Sequence, residues 1–159
     1  MSFVRRAETS KETPQTATVV LVGFLKQEED FLQNLLDRAA WPMAHDCTWS
    51  TLSKPSVAAT LIAVHHDRIP IVLCDRDLQP EVWKELLTEF GCLPEPPCLI
   101  VTSRLADDFL WAEALNLGAY DVLARPFDTA EVVRSIGLAH LHWANRRRPQ
   151  RVMAARSVA

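Results

Sequence analysis

Between residues 18 and 143 short apolar runs alternate with stretches whose apolar positions recur at helical spacing. Thr18-Val-Val-Leu-Val22 is an uninterrupted run, the pattern of a strand covered on both faces. Phe31, Leu32, Leu35, Leu36 and Ala39 then fall on one helical face, with Glu28, Glu29 and Asp30 in the first turn and Trp41-Pro42 as the stop. Cys47 to Leu52 alternates as an edge strand does. Val57, Leu61 and Val64 mark a helix over 56–66 that starts after Pro55. Ile69 to Asp75 reads as the third strand. A helix over 81–90 follows, with Val82, Leu86, Leu87 and Phe90 on one face and Gly91 closing it.

After the stiff loop Cys92-Leu-Pro-Glu-Pro-Pro97 comes a fourth strand, Cys98 to Thr102, and a fourth helix, Ala106 to Leu117, ended by Gly118. Tyr120 to Ala124 is the fifth strand. Asp128-Thr-Ala-Glu131 is a capping box, and the helix it opens carries Val132, Val133, Ile136 and His140 on one side. Five consecutive strand–helix pairs predict a three-layer α/β fold, a doubly wound (βα)5 parallel sheet with strand order 2-1-3-4-5. Residues 1–16 lack periodicity and read as a flexible arm, residues 17–145 as the folded domain, and residues 146–159 as a basic tail.

Composition narrows the class. The chain has 159 residues, 48% of them apolar, and a formal charge of -3, which suits one ordinary globular domain. No apolar stretch approaches the ~20 residues of a membrane span, and the N-terminus has no hydrophobic signal region. The cytoplasm is the expected location. Cys47, Cys74, Cys92 and Cys98 form no C-x-x-C pair, and neither His65-His66 nor His140-x-His142 has a carboxylate or thiol at metal-site spacing. With four glycines, no G-x-G-x-x-G and no P-loop, a small α/β enzyme or nucleotide binder has little support, and no enzyme activity is expected. The basic segment from Arg146 to Arg156 holds five arginines and no acid. It is a solvated tail that follows the last helix, or an arm for an acidic or nucleic-acid surface. Nucleic-acid contact is expected nowhere else.

Candidate chemistry sits at the strand ends. Ile71-Val-Leu-Cys-Asp75 closes on an acid, Leu99-Ile-Val-Thr-Ser103 on hydroxyls, and Val122-Leu-Ala-Arg125 on a cation. In an open parallel sheet these ends share one edge, where ligands bind.

At this point the chain resembles the receiver domain of bacterial response regulators, the flavodoxin-like, CheY-like module of two-component and phosphorelay systems. The resemblance runs from Thr18 to Trp143 and rests chiefly on Ala114-x-x-x-Gly118-Ala119-x-x-Val122-Leu123-x-Arg125-Pro126-Phe127. It implies that Asp75 holds the phospho-acceptor position, Thr102 the switch hydroxyl, Arg125 the place of the family's lysine, and Pro126 a cis peptide. In the family, acids gather Mg²⁺ and the central Asp becomes an aspartyl-phosphate.

Several positions depart from that pattern. Gly23 and Phe24 stand where the resemblance places the metal-binding acid pair. Asp77, and Glu28 at the start of the first helix, are the carboxylates left to supplement Asp75 as metal ligands. Arg125 offers a planar fork where a compact ammonium is the rule, and could pair directly with Asp75, holding its pKa low. Val122 replaces a switchable aromatic; Tyr120 should share its face by strand alternation. The expectation is a stand-alone pseudo-receiver that needs no cofactor and acts by phosphorylation-independent interaction. Its partner would be a sensor kinase or a downstream effector; self-association into a homodimer stays open, and no membrane contact is expected. The alternative is a working phospho-acceptor, with Asp75 as the phosphorylation site and Mg²⁺ as cofactor. Trp111 and Trp143, on the fourth and fifth helices, mark the candidate interaction face.

Overall fold

The computed structural model describes residues 15–41 and 47–156, with side chains through residue 146. The elements run β1 (Gln15–Val22), α1 (Lys26–Arg38), β2 (Cys47–Lys54), α2 (Val57–His66), β3 (Ile71–Asp75), α3 (Val82–Phe90), β4 (Cys98–Ser103), α4 (Asp108–Leu117), β5 (Asp121–Ala124) and α5 (Thr129–Arg156). All strand pairings are parallel, and the order is β2-β1-β3-β4-β5. The predicted fold class and strand order are those observed.

Strand alternation splits each apolar run between two cores. Val19, Leu21, Ile71, Leu73, Ile100 and Leu123 meet Leu32, Leu35 and Leu36 of α1 and Val132, Val133 and Ile136 of α5. Val20, Val22, Val72, Cys74, Leu99, Val101 and Val122 face Trp83, Leu86 and Phe90 of α3 and Leu110 and Ala114 of α4 on the other side. The continuous apolar strands thus follow from having helices on both faces. Trp83 of α3 is the largest fully buried side chain and fills the second core.

Several boundaries move from their sequence-based positions. β1 begins at Gln15, so residues 15 and 16 leave the expected arm; residues 1–14 of that arm, and Pro42, lie outside the described residues. The cause is backbone pairing, Gln15 with Cys47 through Val22 with Lys54, which extends both strands beyond their apolar cores. Phe31 is half exposed and not a core residue. Tyr120 precedes β5 and packs against the α1/α5 core, whereas Val122 packs into the other one, so the two do not share a face. The register starts only at Asp121, and Tyr120 is held in the turn before it by its N–H donating to the Leu99 carbonyl at 2.7 Å. α5 does not stop before the basic segment but stays helical through Arg156, past Pro149, in a stretch rich in Arg, Ala and Met that lose little in a helix.

Local chemistry sets the element ends. Ser56 and Asp107 cap α2 and α4 by accepting the N–H groups of Ala59 and Leu110. The Asp128 carboxylate accepts the Glu131 N–H at the start of α5. Two glycines adopt positive φ, Gly23 after β1 (φ 85°) and Gly118 after α4 (φ 103°). A Cβ on Gly118 would meet nothing within 4 Å, so its constraint is purely of the backbone. Gly118→Ala should therefore cost about 1 kcal/mol in urea unfolding, and Leu86→Ala, at a site with no exposure, about 3 kcal/mol. Equal costs would contradict this assignment of strain at one site and packing at the other.

Candidate functional site

Three strand ends meet at the C-terminal edge of the sheet. Asp75 ends β3 in register with Thr102, and Thr102 and Ser103 of β4 stand beside Leu123 and Ala124 of β5. The edge continues into the loops, where the N–H groups of Arg76 and Arg125 donate to the carbonyls of Thr102 and Ser103 at 2.9 Å. Asp75, Thr102 and Ser103 are all buried.

The structure brings Asp75, Thr102 and Arg125 together. One Asp75 oxygen, Oδ2, accepts from the Thr102 hydroxyl at 2.8 Å and from Arg125 Nη1 at 2.8 Å, and Oδ1 accepts from the Asp77 N–H at 3.0 Å. Arg125 Nη2 donates to Glu28 Oε2, so one guanidinium bridges two carboxylates. A planar fork suits this bridge better than an ammonium would. Phe24 and Phe127 flank the cation, with ring centroids 5.9 and 5.7 Å from Arg125 Cζ. Phe31 stacks on Phe127 at 6.5 Å, which accounts for its place outside the core. The Arg125–Pro126 peptide is cis.

Burial is the largest influence on the Asp75 carboxyl and pushes its pKa up, while the Thr102 hydroxyl and Asp77 N–H pull it down and the Asp77 charge adds to the rise. The lowered value expected from an adjacent arginine is therefore corrected. The carboxyl is fully desolvated, and Arg125 divides its charge between Asp75 and Glu28. Burial likewise lowers the Arg125 pKa, yet a guanidinium remains charged at neutral pH.

Asp77 is turned to a structural task. Its Oδ1 accepts from Ser103 Oγ at 2.6 Å and its Oδ2 from the Arg104 N–H at 2.9 Å, while Ser103 Oγ accepts from Leu105 N. The loop after β3 is thereby tied to the loop after β4. Sequence reasoning missed this brace; the signal was Ser103, which alternation turns away from the face of Thr102 and toward that neighbouring loop.

Mg²⁺ needs several hard oxygens in near-octahedral array. Gly23 and Phe24 supply no side-chain oxygen, Glu28 is turned onto Arg125, and both Asp77 oxygens are engaged. Among the described residues no three His, Cys, Asp or Glu side chains gather as a metal site. The donor set present does not fit a divalent cation. Gly23 itself lies close under the acid, and a Cβ there would sit 3.4 Å from the Asp75 carbonyl oxygen.

The two tryptophans part company. Trp111 is exposed on α4, whereas Trp143 is half-buried against the α1/α5 core, so they do not form one exposed aromatic face. No helix among the described residues is long and apolar enough to cross a membrane.

Removing the cation should expose the cost of the buried acid. Because burial already lifts the folded Asp75 pKa, the folded state binds that proton more tightly than the unfolded chain. Its contribution is then fully present in acid and is lost as pH rises through the folded value. Arg125→Gln should lose about 3 kcal/mol at neutral pH, and the deficit relative to the unaltered protein should shrink as Asp75 protonates on acidification. Denaturant titrations across acid and neutral pH test this; a deficit independent of pH would refute it.

No protein-family profile matches the chain, and no curated protein matches it. Solved structures do. The receiver domain of a Francisella response regulator has a TM-score of 0.64 at 15% identity, over 79% of this chain and 98% of that one. The signal receiver domain of an HD domain-containing protein from Pseudomonas fluorescens has a TM-score of 0.64 at 20% identity, covering 82% of this chain and 99% of that one. Full-length FixJ from B. japonicum has a TM-score of 0.65 at 22% identity, over 80% of this chain and 59% of FixJ. With five parallel strands in the order β2-β1-β3-β4-β5, the chain has the fold of response regulator receiver domains.

Proposed function

We propose that this chain is a receiver-type module of two-component signalling that acts by protein–protein interaction without phosphoryl transfer. The observation that carries this reading is the state of Asp75. Both of its oxygens are engaged, and the cation that should answer a phosphoryl group is paired with Asp75 and Glu28. A carboxylate nucleophile needs an accessible oxygen and a site able to take the incoming negative charge, and Asp75 is buried. Here the Arg125 cation is already shared between two carboxylates, and Gly23 and Phe24 supply no side-chain oxygen for a metal.

Docking then falls to the surface. α4 presents Phe109, Trp111 and Leu115 to solvent, with Phe109 85% exposed. Aromatic residues of this kind carry a disproportionate share of interface energy. The partner is a protein, a sensor kinase or an effector, that reads this surface.

Incubation with acetyl phosphate and Mg²⁺ should leave the intact mass unchanged, and Asp75→Asn should retain the partner captured from the native host. Stoichiometric labelling at Asp75, abolished by Asp75→Asn together with signalling, would restore the phospho-acceptor reading. On the docking side, Trp111→Glu should weaken partner capture by about tenfold or more while the variant remains folded by circular dichroism. Undiminished capture would exclude this part of α4.

A further inference from the structure

A second cleft lies at the opposite end of the sheet, beneath the N-terminal ends of β4 and β5. It encloses ≈ 390 Å³ between the end of α3, the loop before β4, the α4–β5 turn and the outer part of α5. That volume is at the small end of the range for organic-ligand sites. Phe90 and Pro97 contribute apolar wall, and Cys98, Tyr120, His142 and Arg146 bring polar chemistry to the same space. Among the described residues no carboxylate lines it.

Arg146 is held in place but not neutralised. Its Nη2 donates to the Pro96 carbonyl at 2.9 Å and lies 3.9 Å from Cys98 Sγ. Among the described residues no Asp or Glu pairs with it, so Nε and Nη1 are left for another acceptor. The His142 ring leans on Tyr120 with centroids 5.4 Å apart, and the Tyr120 hydroxyl has no hydrogen-bond partner among the described residues. The pocket therefore combines an anchored guanidinium, the polar groups of Cys98, Tyr120 and His142, and the aromatic faces of Phe90 and Tyr120. A guanidinium fork matches the paired oxygens of carboxylates and phosphates.

We propose that this cleft is a binding site for a small organic anion with a flat apolar body, its carboxylate or phosphate seated on Arg146 and its body against Phe90, Pro97 and Tyr120. The site is separated from Asp75 by the length of the central strands, ~17 Å, and is independent of the chemistry at that edge. Because it joins α5 to the α4–β5 turn, an occupant would brace the helix that carries the arginine-rich extension against the sheet.

The test is an amide-resolved NMR titration of the full chain with four probes: phenyl phosphate, benzoate, benzyl alcohol and inorganic phosphate. Phenyl phosphate or benzoate, or both, should give saturating shifts at Cys98, Ala119 and Tyr120, with dissociation constants of about 1 mM or tighter. Which of the two binds tighter identifies the head group. Benzyl alcohol lacks the anion and inorganic phosphate lacks the body, so each should bind about tenfold more weakly or worse. Arg146→Gln should weaken the preferred probe by a similar factor without shifting the amides of β1 and β3, and Arg146→Lys should fall between. Should Arg146→Gln fail to fold, the ranking of the four probes on the unaltered protein decides. Equal binding of all four, no saturation by either aromatic anion, or an affinity unchanged in folded Arg146→Gln would overturn the proposal.

Discussion

One guanidinium holds the functional edge of this protein together. Arg125 leaves the end of β5 and reaches Asp75 at the end of β3 with one nitrogen and Glu28 in the first turn of α1 with the other. Three elements distant in sequence are thereby tied to a single planar group. The arrangement is buried enough that its energetics are those of an interior ion pair, in which each partner is costly alone and tolerable together. Phe24 and Phe127 complete the enclosure by covering the cation with apolar rings.

The remaining polar groups of the edge follow from that choice. With Asp75 committed, Thr102 serves as its donor and the loop that begins at Arg76 is stitched down by the Asp77 N–H. Asp77 cannot share the burden, because its carboxylate clamps Ser103 and Arg104 across the two loops. The edge is a closed network of hydrogen bonds, and such networks favour one arrangement over any alternative.

The layered fold was legible in the sequence because uninterrupted strands such as Ile71–Leu73 can exist only with both faces covered, and because Gly118 and the Asp128 cap punctuate the chain unambiguously. Strand ends were harder, since Gln15 and Thr16 are in β1 through backbone pairing that side-chain hydropathy does not report. In the site, the strand-end triad of Asp75, Thr102 and Arg125 could be read from position alone. The second anchor of Arg125 could not, because Glu28 is one of three consecutive acids near the start of its helix and only tertiary packing selects it. The electrostatics of Asp75 were misjudged for a related reason: a sequence shows the neighbouring charge but not the depth of burial. Trp143 likewise belongs to a helix whose inward face is set by the sheet beneath it, so aromatic content alone did not mark a surface.

Gly23 limits what substitution can do at this edge. With φ at 85° and a would-be Cβ 3.4 Å from the Asp75 carbonyl oxygen, the position accepts glycine readily and any other residue only under strain. An acid introduced there would have to adopt the left-handed backbone or rebuild the turn after β1. A carboxylate at this position thus comes with a less stable turn.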